Sequence, residues 1–133
     1  MDLIKITPDK EKARSILRMA ELIEERIINQ SRAKMAALIV ADYYEVLKEL
    51  ITAMLLIDGY KTLSHKDLIE YLDAKYKEFD SHEIAIMDDL RILRNRISYE
   101  GFFVETSYLE RNEDLLKSLV KKLKVMIWGR LSD

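Results

Sequence analysis

The residues with the most chemical potential cluster in one short run, Asp88 to Gly101, which reads DDLRILRNRISYEG. It holds three arginines, an amide, a hydroxyl and a phenol within a few turns. Guanidinium groups suit phosphate, because their fixed fork of donors matches its oxygens. At 100° per residue, Ile86, Leu90, Leu93 and Ile97 fall on one arc of a helix, and Arg91, Arg94, Asn95 and Ser98 fall on the shoulder beside it. Arg96 and Asp89 lie on a separate, outer side. Arg91 and Arg94 therefore belong to one candidate phosphate-binding ridge with Ser98, and Arg96 does not. A plainer account is also open: Asp88 can pair with Arg91, and Arg96 with Glu100, as ordinary intrahelical ion pairs.

Other chemistries find little to work with. The chain has no cysteine and two histidines, His65 and His82, which start different expected helices and lack metal-ligand spacing. No metal site, cofactor site, glycine-rich phosphate loop or thiol nucleophile is expected. His65, next to Ser64, reads as a surface or capping residue. The net charge of −2 excludes broad attraction to nucleic acid, so any such contact must come from a local patch.

These residues need a scaffold, and the composition points to helices. Of 133 residues, 49% are hydrophobic and 35% charged, with only three glycines and one proline, too few turn residues for a sheet protein. Thr7 and Pro8 are expected to start a first helix over about 8–29, as N-cap and first helical residue. Ser31 is expected to cap a second, ending at Gly59, whose core face carries Met35, Leu38, Ile39, Tyr43, Val46, Leu50, Ala53 and Ile57. Gly59 to Leu63 reads as a turn. A shorter third helix runs from the Ser64 cap to about Glu78, and a fourth begins at Asp80-Ser81 and is interrupted at Gly101. Phe102 to Val104 reads as a packed loop, serving as core cover or as a dimer contact. Ser107 with Glu110 has capping-box spacing for a last helix ending near Gly129. Asp42, Tyr43, Tyr44 and Glu45 read as a half-buried tyrosine ladder with solvated acids, in preference to a buried network with Arg94. The expected fold is one all-α domain over 1–133, an antiparallel up-down bundle of four long helices plus one short helix. No apolar run approaches the roughly 20 residues of a membrane span, and residues 1–7 do not read as a signal peptide, so a cytoplasmic protein is expected. A single glutamine with abundant Glu, Lys and Arg leans toward a thermophilic source.

The run Arg94-Asn95-Arg96-Ile97-Ser98-Tyr99 resembles the motif of the HEPN (higher eukaryotes and prokaryotes nucleotide-binding) domain family, in which an arginine, commonly followed by a polar residue such as asparagine, precedes a histidine by several residues. The stretches ALIVADYYE (37–45) and Asp58-Gly59-Tyr60-Lys61 leading to His65 and Leu68-Ile69 add to the likeness, which covers about residues 30–105. The resemblance implies a helical bundle that dimerises across a shared cleft. Many members are metal-independent ribonucleases, often toxins paired with a nucleotidyltransferase antitoxin; others bind nucleotides or partner proteins without catalysis. By the same resemblance Arg94 would hold the scissile phosphate and Asn95 would orient the motif, while Tyr99 stands where the family carries histidine. A phenol with a reference pKa of about 10 is a poor base at neutral pH. The expectation is therefore a homodimer that binds RNA, a nucleotide or a partner through Arg91, Arg94, Ser98 and Tyr99 with lost or weakened ribonuclease activity. The alternatives are a ribonuclease toxin, using Tyr99 or a residue from another segment, and a purely structural helical protein. In the toxin subgroup regulated by modification of a tyrosine, that tyrosine lies two residues beyond the histidine, a position held here by Gly101. Arg94 and Tyr99 lie about 140° apart on a continuous helix, so their convergence requires the helix to end near Ser98 or a partner subunit to supply one of them.

Overall fold

A computed structural model describes residues 1–132 as five helices and one small two-stranded sheet. Helix α1 spans Lys10–Ile28, α2 Arg32–Asp58, α3 His65–Lys75, α4 Ser81–Glu100 and α5 Thr106–Leu131; strands β1 (Ile4–Lys5) and β2 (Tyr60–Lys61) pair antiparallel. The chain is all-α in class, with four long helices and the short α3.

Helix α2 is the axis of the molecule. Val46, Leu47, Leu50, Ile51, Ala53, Met54, Leu55, Leu56 and Ile57 are all buried, so its second half is apolar all round rather than along one stripe, as a helix enclosed by neighbours must be. Helices α1 and α5 pack on it, as do α4 and α3, whereas α1 and α5 barely meet each other. Leu38, expected in the core, is instead half exposed. It lies one turn past Met35, whose non-helical backbone kinks the start of α2.

The helix ends show which local signals win. Asp9, not Thr7, caps α1, its side chain accepting from the Lys12 N–H at 3.0 Å. Thr7 and Pro8 cannot be helical because their neighbours are committed elsewhere: the Ile6 N–H donates to the Gly59 carbonyl and the Asp9 N–H to that of Leu56, both at 2.9 Å. Gly59 ends α2 with φ +90, and a Cβ there would stand 3.0 Å from the Ile6 carbonyl oxygen, so glycine is required by backbone shape and by space. The segment expected as a plain turn thus contributes β2. Beside it, the Asp2 N–H donates to the Asp67 carboxylate at 2.9 Å.

Ser64 caps α3 through the Asp67 N–H at 3.2 Å. The helix stops at Lys75, earlier than the expected Glu78, because Tyr76 turns extended and its hydroxyl donates to Asp58 Oδ2 at 2.5 Å. Tyr71 donates to the same oxygen at 2.6 Å and Arg130 lies 2.7 Å from Oδ1, so one buried carboxylate joins α2, α3 and α5. Asp80 and Glu83 form a complete capping box on α4. The capping box expected at Ser107 and Glu110 is absent: α5 starts two residues earlier, with Glu105 at the cap position and no side-chain cap bond. Gly129 does not stop α5, which continues so that Arg130 reaches Asp58 and Leu131 is buried.

Candidate functional site

Met87 and Leu90, both fully buried, fix the rotation of α4 against the core. That rotation turns Arg91 and Arg94 toward α2 and α3. Arg94 Nη2 lies 3.0 Å from Glu45 Oε1 of α2, and its guanidinium stands 5.8 Å from the centre of the Tyr44 ring. Its Nη1 donates to Asn95 Oδ1 at 3.3 Å. The Glu45 contact is an ion pair without hydrogen-bond alignment, so the buried Oε1 accepts no hydrogen bond. The other carboxylate oxygen of Glu45 is 2.7 Å from Lys48 Nζ, which also lies 3.3 Å from Glu49. Arg91 donates from Nε to Asp88 Oδ1 at 2.9 Å, the intrahelical pair read from spacing. The Arg94 side chain retains 20% of its exposure, so it is held by an acid but not sealed.

A further participant comes from α3. The His65 ring packs 5.9 Å from the Tyr44 ring, tilted at 44°, and shares the field of Lys48, Arg94 and Arg91. Burial, then the charges of Lys48 and Arg94, hold its imidazole below the ordinary 6.5, with Glu45 opposing. Burial likewise pushes the Tyr44 phenol up, to about 12, against the pull of Arg91 and Arg94. Burial also pushes the Glu45 carboxyl up, but the hydrogen bond and charge of Lys48 and the charge of Arg94 outweigh it and leave the group low. The site thus sets Lys48, Arg91 and Arg94 against the carboxylates of Glu45, Glu49 and Asp88, with the lowered His65 imidazole uncharged beside them at neutral pH.

Several expected partners do not join this cluster. Helix α4 runs unbroken to Glu100, and Tyr99 is 77% exposed; within one chain it does not converge with Arg94, because the early helix end that convergence needs does not occur. Ser98 is exposed on the same free end. Arg96 stays outside, as expected, over the Phe102 ring at 3.9 Å and 4.0 Å from Glu100. Phe103 is 85% exposed and does not cover the core.

The reading of residues 42–45 as a tyrosine ladder with solvated acids is also overturned. Successive residues on a central helix face different neighbours. Asp42 pairs with Arg26 at 2.8 Å and Tyr43 donates to Glu113 at 2.5 Å, on the α1 and α5 side. Tyr44 and Glu45 turn to the opposite side and build the Arg94 cluster. His65 was the functional candidate missed by spacing, since only the packing of α3 on α2 brings it there. Its one local signal was its place in the first turn behind the Ser64 cap.

Among the described residues, no group of His, Asp and Glu side chains is arranged to hold a metal ion, and no helix is long and apolar enough to cross a membrane. The fold and site define a helical bundle with a part-buried cluster of ion-paired arginine and lysine side chains at the meeting of three helices. No family model, curated protein or solved structure matches the chain.

Proposed function

We propose that this chain is a HEPN-like helical module that binds a phosphate-bearing ligand, RNA or a nucleotide, where α2, α3 and α4 meet. The observation that carries the reading is the setting of Arg94: tethered to Glu45, part exposed, and flanked by Lys48, Arg91 and a neutral His65. An incoming phosphate can take the place of Glu45 on Arg94, since that carboxylate oxygen surrenders no hydrogen bond, and charge-assisted bonds to phosphate are the stronger kind. The half-exposed Ile92 and strongly exposed Tyr99 and Phe103 near the end of α4 favour homodimerisation there, which would let Tyr99 of one copy stack on a base held by the other.

One observation favours a second reading, a metal-independent ribonuclease of the toxin type with a nucleotidyltransferase partner. The imidazole that Tyr99 cannot replace is available from α3. A neutral His65 can accept the 2′-hydroxyl proton as the 2′-oxygen attacks a phosphorus held by Arg94, the 5′-oxygen leaving with a proton from solvent.

Fluorescence polarisation with short single-stranded RNA and with adenosine monophosphate, in EDTA at low salt, tests both. Binding weakened at least about tenfold by Arg94→Ala, with intact RNA recovered, is the expected result. EDTA-resistant cleavage that disappears in His65→Ala would establish the second reading instead. Absence of affinity for either probe would remove both.

A further inference from the structure

The face of α2 opposite the Arg94 cluster carries a separate feature. Because α1 and α5 both pack on α2 but scarcely touch, a groove of about 470 Å³ opens between them. Its floor is Ile27, Tyr43 and Val120, all buried. At its lips stand Ile28, Val125 and Trp128, exposed by 72%, 62% and 49%. Three large apolar side chains exposed around one groove in so small a protein mark a recognition surface.

The charged side chains lining it are mostly basic. Four cations line the groove (Arg32, Lys117, Lys121 and Lys124) against one carboxylate, Glu24, in a chain whose net charge is −2. Arg32 is engaged by Glu113, and Lys124 by Glu21 and Glu24. Lys117 and Lys121 form no ion pair among the described residues, although Lys117 lies within the field of Glu113. One turn apart on α5, they continue through Lys124 to Trp128 as a single stripe. From Lys117 to Trp128 the stripe runs about 17 Å, or about three helical turns.

We infer that this groove is a docking site for an acidic amphipathic helix of a partner protein, its apolar stripe covering Ile28, Val125 and Trp128 and its glutamates meeting Lys117 and Lys121. The half-open shape selects a helix over a small amphiphile, which would fill the floor and leave the lips wet. Apolar anchors at helical spacing supply affinity in such grooves and flanking charge supplies specificity.

Trp128 is the only tryptophan in the chain, so its emission reports on the groove directly. A 15-residue peptide stapled as a helix, with leucines on one face and glutamates on both flanks, is titrated into the full chain. A saturable blue shift is expected. Lys117→Glu combined with Lys121→Glu should weaken it at least about tenfold, and a peptide with lysines in place of glutamates should restore binding to that variant. Val125→Asp should abolish the shift, and Arg94→Ala should leave it unchanged. All these positions but Arg94 are exposed, and matching thermal melts will show that each variant folds. A missing shift, or one indifferent to the charge reversal, overturns the inference. So does saturation by dodecanoate without peptide binding, or a wild-type dimer that Val125→Asp converts to monomer, which would make a second copy the occupant.

Discussion

Arg94 and Glu45 are 3.0 Å apart across the α2–α4 contact, yet the buried carboxylate oxygen between them accepts no hydrogen bond. An ion pair of this kind holds its members in place but leaves the guanidinium's donors to another oxygen. The pair therefore predicts opposite effects of its two deletions. Arg94→Ala should lower affinity for phosphate ligands at least about tenfold, while Glu45→Gln, which removes the competing charge and keeps the shape, should raise it several-fold. Equal losses in both variants would show that the pair is structural. Calorimetric titration with adenosine monophosphate distinguishes the cases.

The His65 imidazole makes a prediction about pH. Its ordinary value is 6.5, and burial with the Lys48 and Arg94 charges holds it lower in the folded chain. Well above pH 6.5 the group is neutral in both states and does not affect stability. As pH falls below 6.5 the unfolded chain takes the proton first, and stability declines until the folded imidazole is protonated as well. Urea denaturation of the wild type and of His65→Gln at pH 7.5 and 5.5 should show a smaller acid loss in the variant. A bound phosphate should move the His65 titration upward, visible as a shift in its ring proton resonances by NMR.

Asp58 should be the most costly polar residue to change. Its side chain is 6% exposed and serves Tyr71, Tyr76 and Arg130 at once. Removing Arg130 leaves a buried carboxylate with its phenol partners only, a loss of about 2–3 kcal/mol, toward the low end for buried pairs because the arginine is itself partly exposed. Tyr71→Phe should cost about 1 kcal/mol. Chemical denaturation midpoints would read both, and an Arg130→Ala variant as stable as wild type would contradict the network.

The two left-handed glycines should respond unequally to alanine. At Gly59 a methyl meets the Ile6 carbonyl at 3.0 Å and Pro8 Cγ at 3.2 Å, whereas at Gly101 nothing lies within 4 Å. Gly101→Ala should cost about 1 kcal/mol for φ alone; Gly59→Ala should cost clearly more, since backbone must move. Equal melting temperatures for the two variants would refute the crowding at Gly59.

Much of this architecture was legible in the chain, and the exceptions share a cause. Glycines and local caps such as Ser64 and Asp80 marked ends of α2, α3 and α4 to within a residue or a few, because those signals act within one turn. Thr7 lost to Asp9 because residues 4–6 pair with the chain after α2, a contact no local pattern announces. Leu38 was misplaced for a related reason: an apolar helix enclosed on most sides has no single face to read, and one kink at Met35 alters which residues turn out. At the site, Arg91 and Arg94 could be grouped by angle alone. Their partnership with Glu45 and His65 depends on how three helices meet, and so lay beyond periodicity.

The short ribbon at the amino end has a reach that its two residue pairs do not suggest. Asp2 grips Asp67, Ile6 grips Gly59, and between those anchors sits the turn carrying Ser64 and His65. Peeling residues 2–6 away would unbutton the start of α3 and let the imidazole drift from Arg94. A tag or a binding protein that tugs on the first few residues would thus detune a cluster far away in the chain.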